Sequence, residues 1–179
     1  MHNDIESILL SREQLHEKVL QLAAEITEDY RGKDLLAVCI LKGSIIFFSD
    51  LIRAIELPLE TDFVAISSYG HSTSSSGVVR ILKDLDQNIQ DRHVLVVEDI
   101  IDSGLTLKYL LENLSSRKPK SLHVCTLLDK PQRRTVEIET AYNGFSIPDR
   151  FVVGYGLDYA EKYRNLPYIG VLKPEIYQD

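Results

Sequence analysis

Two neighbouring acids followed by a hydroxyl-rich turn form the stretch of this chain best suited to chemistry. Glu98 and Asp99 follow the apolar run VLVV, and the turn DSGLT at 102–106 leads into a helical pattern. Adjacent carboxylates repel each other unless a cation or ligand hydroxyls lie between them, and hard oxygen ligands suit Mg²⁺. Backbone N–H groups and hydroxyls at a helix N-terminus bind phosphate. The stretch therefore favours a phosphate-bearing ligand together with Mg²⁺.

A plainer interpretation of the same residues stays open. Glu98 and Asp99 would then be a solvated strand end, and Asp102 or Ser103 would merely cap the following helix. The chain contains neither GxxxxGK[ST] nor GxGxxG, so the standard nucleotide-binding loops are excluded. Any phosphate that binds here therefore belongs to a different kind of ligand.

Composition narrows the class of protein that must position these residues. The chain has 179 residues, 44% of them hydrophobic and 26% charged, which predicts a single globular domain over 1–179 without a membrane span. A net charge of −7 repels polyanions, so we expect no nucleic-acid partner. Cys39 and Cys125 lie in apolar runs and are expected to be buried thiols. With no signal peptide at the N-terminus, a cytoplasmic location is predicted.

Helical patterns alternate with short apolar runs that are typical of buried strands. Helices are predicted at 11–31, 45–55 and 103–116, strands at 35–41, 61–68, 78–85, 92–99 and 121–130, shorter elements at FVVGYG and YIGVL, and turns at YNGFSIPD. This order predicts an α/β fold with a mainly parallel central sheet flanked by helices. In such sheets ligands bind at the carboxyl ends of the strands, where Glu98 and Asp99 are expected.

The residues VVEDIIDSGLT resemble the phosphoribosyl-diphosphate (PRPP) signature of the type I phosphoribosyltransferases. Four further segments resemble, in this order, the hypoxanthine and hypoxanthine-guanine branch of that family: LKGS at 41–44, SSYG at 67–70, LLDKPQRR at 127–134 and IPDRFVVGYGLDYAEKYRNLPYIG at 147–170. The resemblance covers almost the whole chain. It implies a small hood, formed by the terminal segments, beside the central sheet.

For the phosphoribosyl group, the resemblance implies roles for the signature residues. The 5′-phosphate is assigned to the turn formed by Asp102, Ser103, Gly104, Leu105 and Thr106, where Leu105 adds no charge although some relatives carry lysine at this variable position. Glu98 and Asp99 are expected to face the ribose hydroxyls and Mg²⁺. Asp102 is also the expected general acid or base at N7 of a purine.

For the diphosphate, the resemblance implies a loop of Leu41, Lys42 and Gly43 that contains a non-proline cis peptide. Lys42 is expected near the leaving group, together with Arg164. Asp158 is expected to hold a second Mg²⁺ beside the purine. Without the resemblance, the loop would be an ordinary strand-to-helix turn, and Asp158 and Arg164 would be surface charges.

For the purine, the resemblance implies that Lys130 donates to O6 and so selects 6-oxo over 6-amino bases. Phe151 is expected to stack on the ring and the backbone of Val152 to meet its edge, although FVVG alone would indicate a core strand. Ser68 and Tyr69 are expected to belong to a lid that excludes water during the reaction.

The implied activity is Mg²⁺-dependent transfer of the 5-phosphoribosyl group from PRPP to N9 of hypoxanthine or guanine. The implied assembly is a homodimer or homotetramer. One rival within the same chemistry is a relative that prefers xanthine or uses adenine. A rival from another class is a PRPP- or nucleotide-sensing regulator that binds RNA; the net charge of −7 speaks against the basic face that it would need.

Overall fold

The computed structural model describes residues 1–68 and 79–178. Its strands are β1 (Ile5–Leu10), β2 (Leu35–Leu41), β3 (Glu60–Ser68), β4 (Val79–Lys83), β5 (His93–Ile101), β6 (Ser121–Asp129), β7 (Tyr142–Ser146), β8 (Val152–Val153) and β9 (Ile169–Leu172). Its α-helices are α1 (Arg12–Asp29), α2 (Ile45–Ala54), α3 (Leu105–Ser115) and α4 (Pro174–Tyr177), and short 3-10 helices cover His2–Asp4 and Pro131–Arg133. No described helix is long and apolar enough to cross a bilayer.

Six strands form the central sheet in the order β4-β3-β2-β5-β6-β7. All neighbouring pairs are parallel except β3 and β4. The strands β1, β9 and β8 form a separate antiparallel sheet built from both terminal segments. The predicted fold class, including the hood, is therefore confirmed.

Strand β2 shows why helices must cover both faces of the central sheet. Leu35, Ala37 and Cys39 belong to the core that α1 and α2 cover, whereas Leu36 and Val38 belong to a second core covered by α3. Since successive residues of a strand point to opposite faces, an apolar run can be buried throughout only if both faces are covered. Because five strands of this sheet run parallel, their carboxyl ends lie together at one edge of the sheet.

Both cysteines are buried free thiols, as expected. Burial raises the pKa of Cys39 to about 12, and it also raises the pKa of Cys125. A thiol that stays protonated is a poor nucleophile. The two side chains therefore act as small apolar groups of the core.

Two sequence-based expectations are wrong. The segment YNGFSIPD was expected to form turns, but its first five residues form β7, which pairs in parallel with β6 and buries Tyr142. The strand predicted at 92–99 runs instead from His93 to Ile101, so Glu98 and Asp99 lie within the last four residues of β5 and are not its final pair. In both places the hydrogen bonds of β6 extend the sheet further than the local sequence indicates.

Asp62 ties β3 to the loop that precedes β5. Its side chain is only 3% exposed, and Oδ2 accepts hydrogen bonds from the backbone N–H groups of Asp86 and Gln87 at 2.9 and 3.0 Å. Asp62→Ala leaves both donors without their acceptor, so we expect the free energy of unfolding to fall by about 2–4 kcal/mol in urea titrations. Asp86→Ala is the control, because that side chain is 79% exposed. Equal losses in the two variants would contradict the interpretation.

Candidate active site

The adjacent acids of β5 are held at the carboxyl end of the central sheet. Asp99 is buried and Glu98 is half-buried, which rules out a solvated strand end. Glu98 Oε1 accepts hydrogen bonds from Ser44 Oγ at 3.4 Å and from its neighbour's backbone N–H at 3.2 Å. Burial and the nearby Asp99 carboxylate raise the pKa of Glu98 well above its ordinary value. Ionisation of both carboxylates is therefore costly unless a cation or a proton lies between them.

A cavity of about 260 Å³ opens beside these carboxylates. It brings together the following predicted site residues: Leu41, Gly43, Glu98, Asp99, Asp102, Ser103, Gly104 and Thr106. The remaining lining is mainly apolar, from Ile40, Ile66, Ile100, Ile101 and Leu107. One cavity thus joins the paired acids, the phosphate-type turn and the loop after β2.

The loop after β2 lies directly against the acids. A β-carbon on Gly43 would overlap the Asp99 carboxylate, so only glycine permits this approach. The peptide bond between Leu41 and Lys42 is cis. On its other side, Gly156 packs against the carbonyl of Gly43. The loop therefore connects the acids of β5 to the segment that follows β8.

The turn at 102–106 enters α3 through Gly104, which has a positive φ of 86° and makes no side-chain cap. The Ser103 hydroxyl accepts from the Leu105 N–H only at 3.4 Å. The plain alternative, in which Asp102 or Ser103 merely caps the helix, is therefore wrong for Asp102, and among the described residues the Ser103 hydroxyl makes only this one long contact. The first N–H groups of a helix have no partner within it, so this end of α3 retains the donors that a phosphate needs.

One carboxylate oxygen of Asp102 accepts no hydrogen bond from the part of the chain that the structure describes. Oδ1 is buried and accepts no hydrogen bond from the described residues, although Arg133 Nε lies 3.0 Å away as an ion-pair partner. A buried acceptor without a donor is costly. The atom is consequently suited to receive a proton or a hydrogen bond from a bound ligand.

The segment that follows β6 holds the phosphate-type turn in place. Thr135 donates from both its N–H and its hydroxyl to the Ser103 carbonyl, at 3.0 and 3.2 Å. Arg134 donates to the Asp102 carbonyl at 3.4 Å and pairs with Asp129. The turn is thus positioned by hydrogen bonds from residues about thirty positions further along the chain.

We call residues 130–135, which follow β6, the bracing segment, and Lys130 is its first residue. Its backbone N–H donates to the Ile101 carbonyl at 3.0 Å, and its buried side chain lies 3.6 Å from Asp149. Asp149 also pairs with Arg133 at 3.5 Å. Four charged side chains therefore form a continuous series of ion pairs, from Asp102 through Arg133 and Asp149 to Lys130.

A second group of charges surrounds Lys42, which does not line the cavity. Its Nζ lies 3.1 Å from Glu161 Oε2. Arg164 lies 3.3 Å from the same Glu161 oxygen and 2.9 Å from Asp158 Oδ1. The structure thus brings together the two cations predicted for the diphosphate, with a carboxylate of the chain between them.

Phe151 is an exposed aromatic ring held by other aromatic rings. It is 37% exposed, stacks on Tyr177 with a centroid distance of 4.6 Å, and meets Tyr159 edge-on at 5.7 Å. This excludes an ordinary core phenylalanine. The adjacent Val152 is buried, with its backbone paired to β9. The ring forms a fixed flat surface, although it does not line the cavity of the acids.

Three predicted residues are placed differently or lie beyond description. Leu105 is 43% exposed and is not one of the residues that line the cavity. Ser68 ends β3, with its backbone paired to Val79. Tyr69 lies outside the described residues, so the lid stays a prediction.

Several residues of the site were missed by sequence reasoning. They are Ser44, Arg133, Arg134, Thr135, Asp149, Glu161 and Tyr177. Each reaches the site by a long-range contact, so helical or strand periodicity carries no signal for it. The one available signal was the run of charges KPQRR after a buried strand, which sequence alone reads as a solvated cluster.

Magnesium fits the acids of β5. Glu98 and Asp99 offer oxygen ligands of the kind that Mg²⁺ prefers, and no described lysine, arginine or histidine forms an ion pair with them. Asp158 fits a second ion less readily. Its carboxylate already binds Arg164 and accepts from the Glu161 N–H at 2.9 Å, so it must first release these partners.

Known proteins share both the sequence and the fold around this site. Residues 9–160 match the family model described as the phosphoribosyl transferase domain. The chain is 59% identical to hypoxanthine-guanine phosphoribosyltransferase of Mycobacterium avium, over 98% of this chain and 89% of that protein. Identity to the Bacillus subtilis protein of that name is 55%, over 99% of both chains. A crystal structure of hypoxanthine phosphoribosyltransferase from Staphylococcus aureus superposes with a TM-score of 0.97 at 54% identity, covering 100% of this chain and 97% of that one.

Removing the charge of Glu98 should stabilise the metal-free protein at neutral pH. The pKa of Glu98 is raised well above its ordinary value in the folded state, so the fold loses stability as the pH rises from the ordinary value to the raised one, and the full cost is present above the raised value. Below the ordinary pKa the group is protonated in both states and this cost is absent. Glu98→Gln should therefore raise the free energy of unfolding by roughly 1–3 kcal/mol at about pH 7.5 and by little near pH 4.

Urea titrations in the presence of a chelator measure this difference. Glu139→Gln, at an exposed position, makes the same change of net charge and should leave stability nearly unchanged. A Glu98→Gln variant that is less stable than the wild type at neutral pH would show that the carboxylate is favourably compensated.

Proposed function

Because this chain belongs to the phosphoribosyltransferase family, we propose that its cavity at the carboxyl end of the sheet binds PRPP. The full-length likeness to hypoxanthine-guanine phosphoribosyltransferases makes it an enzyme of purine salvage. In detail, it transfers the 5-phosphoribosyl group to N9 of hypoxanthine or guanine, releasing diphosphate. The observation that carries this proposal is that one cavity joins the paired acids of β5 to the turn at 102–106.

The turn binds the phosphate of the phosphoribosyl group, and the acids of β5 bind its ribose. The backbone of residues 102–106, with the hydroxyls of Ser103 and Thr106, holds the 5′-phosphate at the N-terminus of α3. Glu98 and Asp99 accept hydrogen bonds from the ribose hydroxyls. These are also the residues that would hold Mg²⁺, with Asp158 for a second ion. When bound, the ion supplies positive charge against the diphosphate.

The remaining cations serve the leaving group. As the bond from the ribose to diphosphate breaks, positive charge develops on the ribose and negative charge on the diphosphate. Lys42 and Arg164 stabilise the departing diphosphate, a contribution that counts only where charge develops in the transition state. The backbone of Leu41 and Gly43 lies next to Asp99 and brings the same group close to the acids.

The purine is held by the braced segment and the fixed aromatic ring. Lys130 donates to O6, which favours 6-oxo bases, and Phe151 stacks on the ring while the Val152 backbone meets its edge. Asp102 exchanges a proton with N7. Its buried Oδ1 supports that role, because it forms an ion pair with Arg133 but accepts no hydrogen bond from the described residues. The lid formed by Ser68 and Tyr69 excludes water.

An RNA-binding regulator of the same fold receives no support from the relatives. The cytoplasmic location and the assembly into a homodimer or homotetramer stay predictions. The order of preference among hypoxanthine, guanine and xanthine follows from no contact described above, so the test of function must rank the bases directly.

The test incubates the purified chain with PRPP, Mg²⁺ and, separately, hypoxanthine, guanine, xanthine and adenine. We expect nucleoside monophosphate and diphosphate from hypoxanthine or guanine, little or none from adenine, and loss of product when a chelator is added. Chromatography separates the nucleotides from the bases. Absence of product with every base, while PRPP still binds, would contradict the proposed activity.

Asp102→Ala should reduce turnover far more than it weakens PRPP binding. A general acid or base contributes about 10²–10⁴-fold to the rate, whereas phosphate binding depends largely on the backbone of the turn. Comparison of kcat for hypoxanthine with the Kd for PRPP measures the two effects. Asp86→Ala, with its exposed carboxylate, should change neither quantity. Equal losses of kcat and PRPP affinity in Asp102→Ala would contradict the assigned role.

A further inference from the structure

The carboxylate of Glu161 lies between the two cations that the proposed function assigns to diphosphate. Its Oε2 is 3.1 Å from Lys42 Nζ and 3.3 Å from Arg164 Nη2. Glu161 and Lys42 are each about two-thirds exposed, at 67% and 68%. The two cations lie 122 positions apart in the sequence, and this one oxygen connects them.

The backbone around Glu161 is built to keep its carboxylate there. Ala160 and Glu161 both have positive φ angles, of 50° and 63°, and the Glu161 N–H donates to Asp158 Oδ2 at 2.9 Å. Arg164 is fixed from the other side, because its Nη1 donates to the Gly156 carbonyl at 2.9 Å. The backbone of Glu161 is thus positioned by a turn that Asp158 closes, and its carboxylate extends from that turn to the two cations.

The electrostatics of Glu161 agree with this geometry. Hydrogen bonds from Lys42 and Arg164 lower the pKa of the carboxyl, so it is ionised whenever the enzyme works near neutral pH. A diphosphate group presents the same chemistry to the two cations: several anionic oxygens that accept from Nζ and from a guanidinium. The Glu161 carboxylate and a diphosphate group therefore cannot occupy the space between Lys42 and Arg164 at the same time.

We propose that Glu161 is an internal counter-ion of the diphosphate site, which pairs with Lys42 and Arg164 when no diphosphate is bound and must leave them before diphosphate or PRPP binds. This inference rests on the proposed function, since it takes the placement of diphosphate from it. The carboxylate lowers the affinity for PRPP and, equally, for the product diphosphate. Its return to the cations favours release of the product.

The size of the effect follows from the exposure of the groups. Exposed ion pairs are weak, and two of them must be exchanged for each diphosphate that binds. Their loss in Glu161→Gln should therefore tighten the binding of diphosphate by about two- to fivefold. A gain of affinity is diagnostic, because a damaged fold or a displaced loop would weaken binding.

The experiment titrates diphosphate with excess Mg²⁺ into the full-length wild type, Glu161→Gln and Glu56→Gln by calorimetry. Glu56 is exposed and follows the end of α2, at the opposite edge of the sheet from the cavity, so Glu56→Gln controls for the change of net charge. We expect tighter binding in Glu161→Gln alone, with a matching fall in the KM for PRPP and in the inhibition constant for diphosphate. In about 1 M salt, where the Debye length is about 3 Å, the ratio of the wild-type Kd to the Kd of Glu161→Gln should fall towards one.

Each other outcome overturns the inference. Unchanged affinity would mean that Glu161 does not compete with diphosphate, and weaker binding would mean that it helps to hold the ligand, for example through Mg²⁺. An equal gain in Glu56→Gln, or one that persists undiminished in high salt, would assign the effect to another cause. If turnover is normal in these cases, the proposed function stands without the inference. If neither PRPP nor diphosphate binds the wild type, both fail together.

Discussion

Two adjacent carboxylates that form no ion pair with any described residue are the constraint around which this site is organised. Glu98 and Asp99 share the carboxyl end of β5, and burial makes their mutual repulsion costly. Among the described residues, the cations near the cavity form ion pairs with acids other than Glu98 and Asp99. These pairs are Lys42 with Glu161, Arg133 with Asp102 and Asp149, Arg134 with Asp129, and Arg164 with Asp158 and Glu161. The chain thus supplies partners for all these cations but not for the acids of β5, which favours a divalent cation from solution.

The sequence is sufficient to predict the sheet because burial on both faces leaves a simple pattern. Runs such as LLAVCIL must be strands covered twice, and their alternation with helical patterns leaves few arrangements other than a parallel sheet. The same logic fails at β7. Tyr142, Asn143 and Gly144 include two residues typical of turns, and only the pairing with β6 makes them a strand. Local preference is weak information wherever a neighbouring strand supplies the hydrogen bonds.

The candidate site was predictable in a different sense. The types and order of Glu98, Asp99 and the turn at 102–106 indicate phosphate and Mg²⁺ on chemical grounds, whereas the roles of Lys130, Phe151 and Arg164 came only from the family resemblance. The bracing contacts came from neither. Thr135 binding to the Ser103 carbonyl and Arg133 beside Asp102 depend on how the segment after β6 turns back, and no periodic pattern encodes that path.

The bracing segment also provides a series of contacts that links the proposed purine site to the proposed PRPP site. Lys130 is bound to the Ile101 carbonyl through its backbone and to Asp149 through its side chain, and Asp149 shares Arg133 with Asp102. In the proposed function, a base that draws Lys130 towards its O6 weakens the contact with Asp149. Asp149, with one cation fewer, then attracts Arg133 more strongly and draws it away from Asp102, whose Oδ1 is freer to accept a proton as N7 approaches. The pairs that Arg133 forms with Asp102 and Asp149 are half-exposed and therefore individually weak. Moving Arg133 between them requires little free energy, and the fixed backbone of the turn keeps the phosphate in place while the charges rearrange.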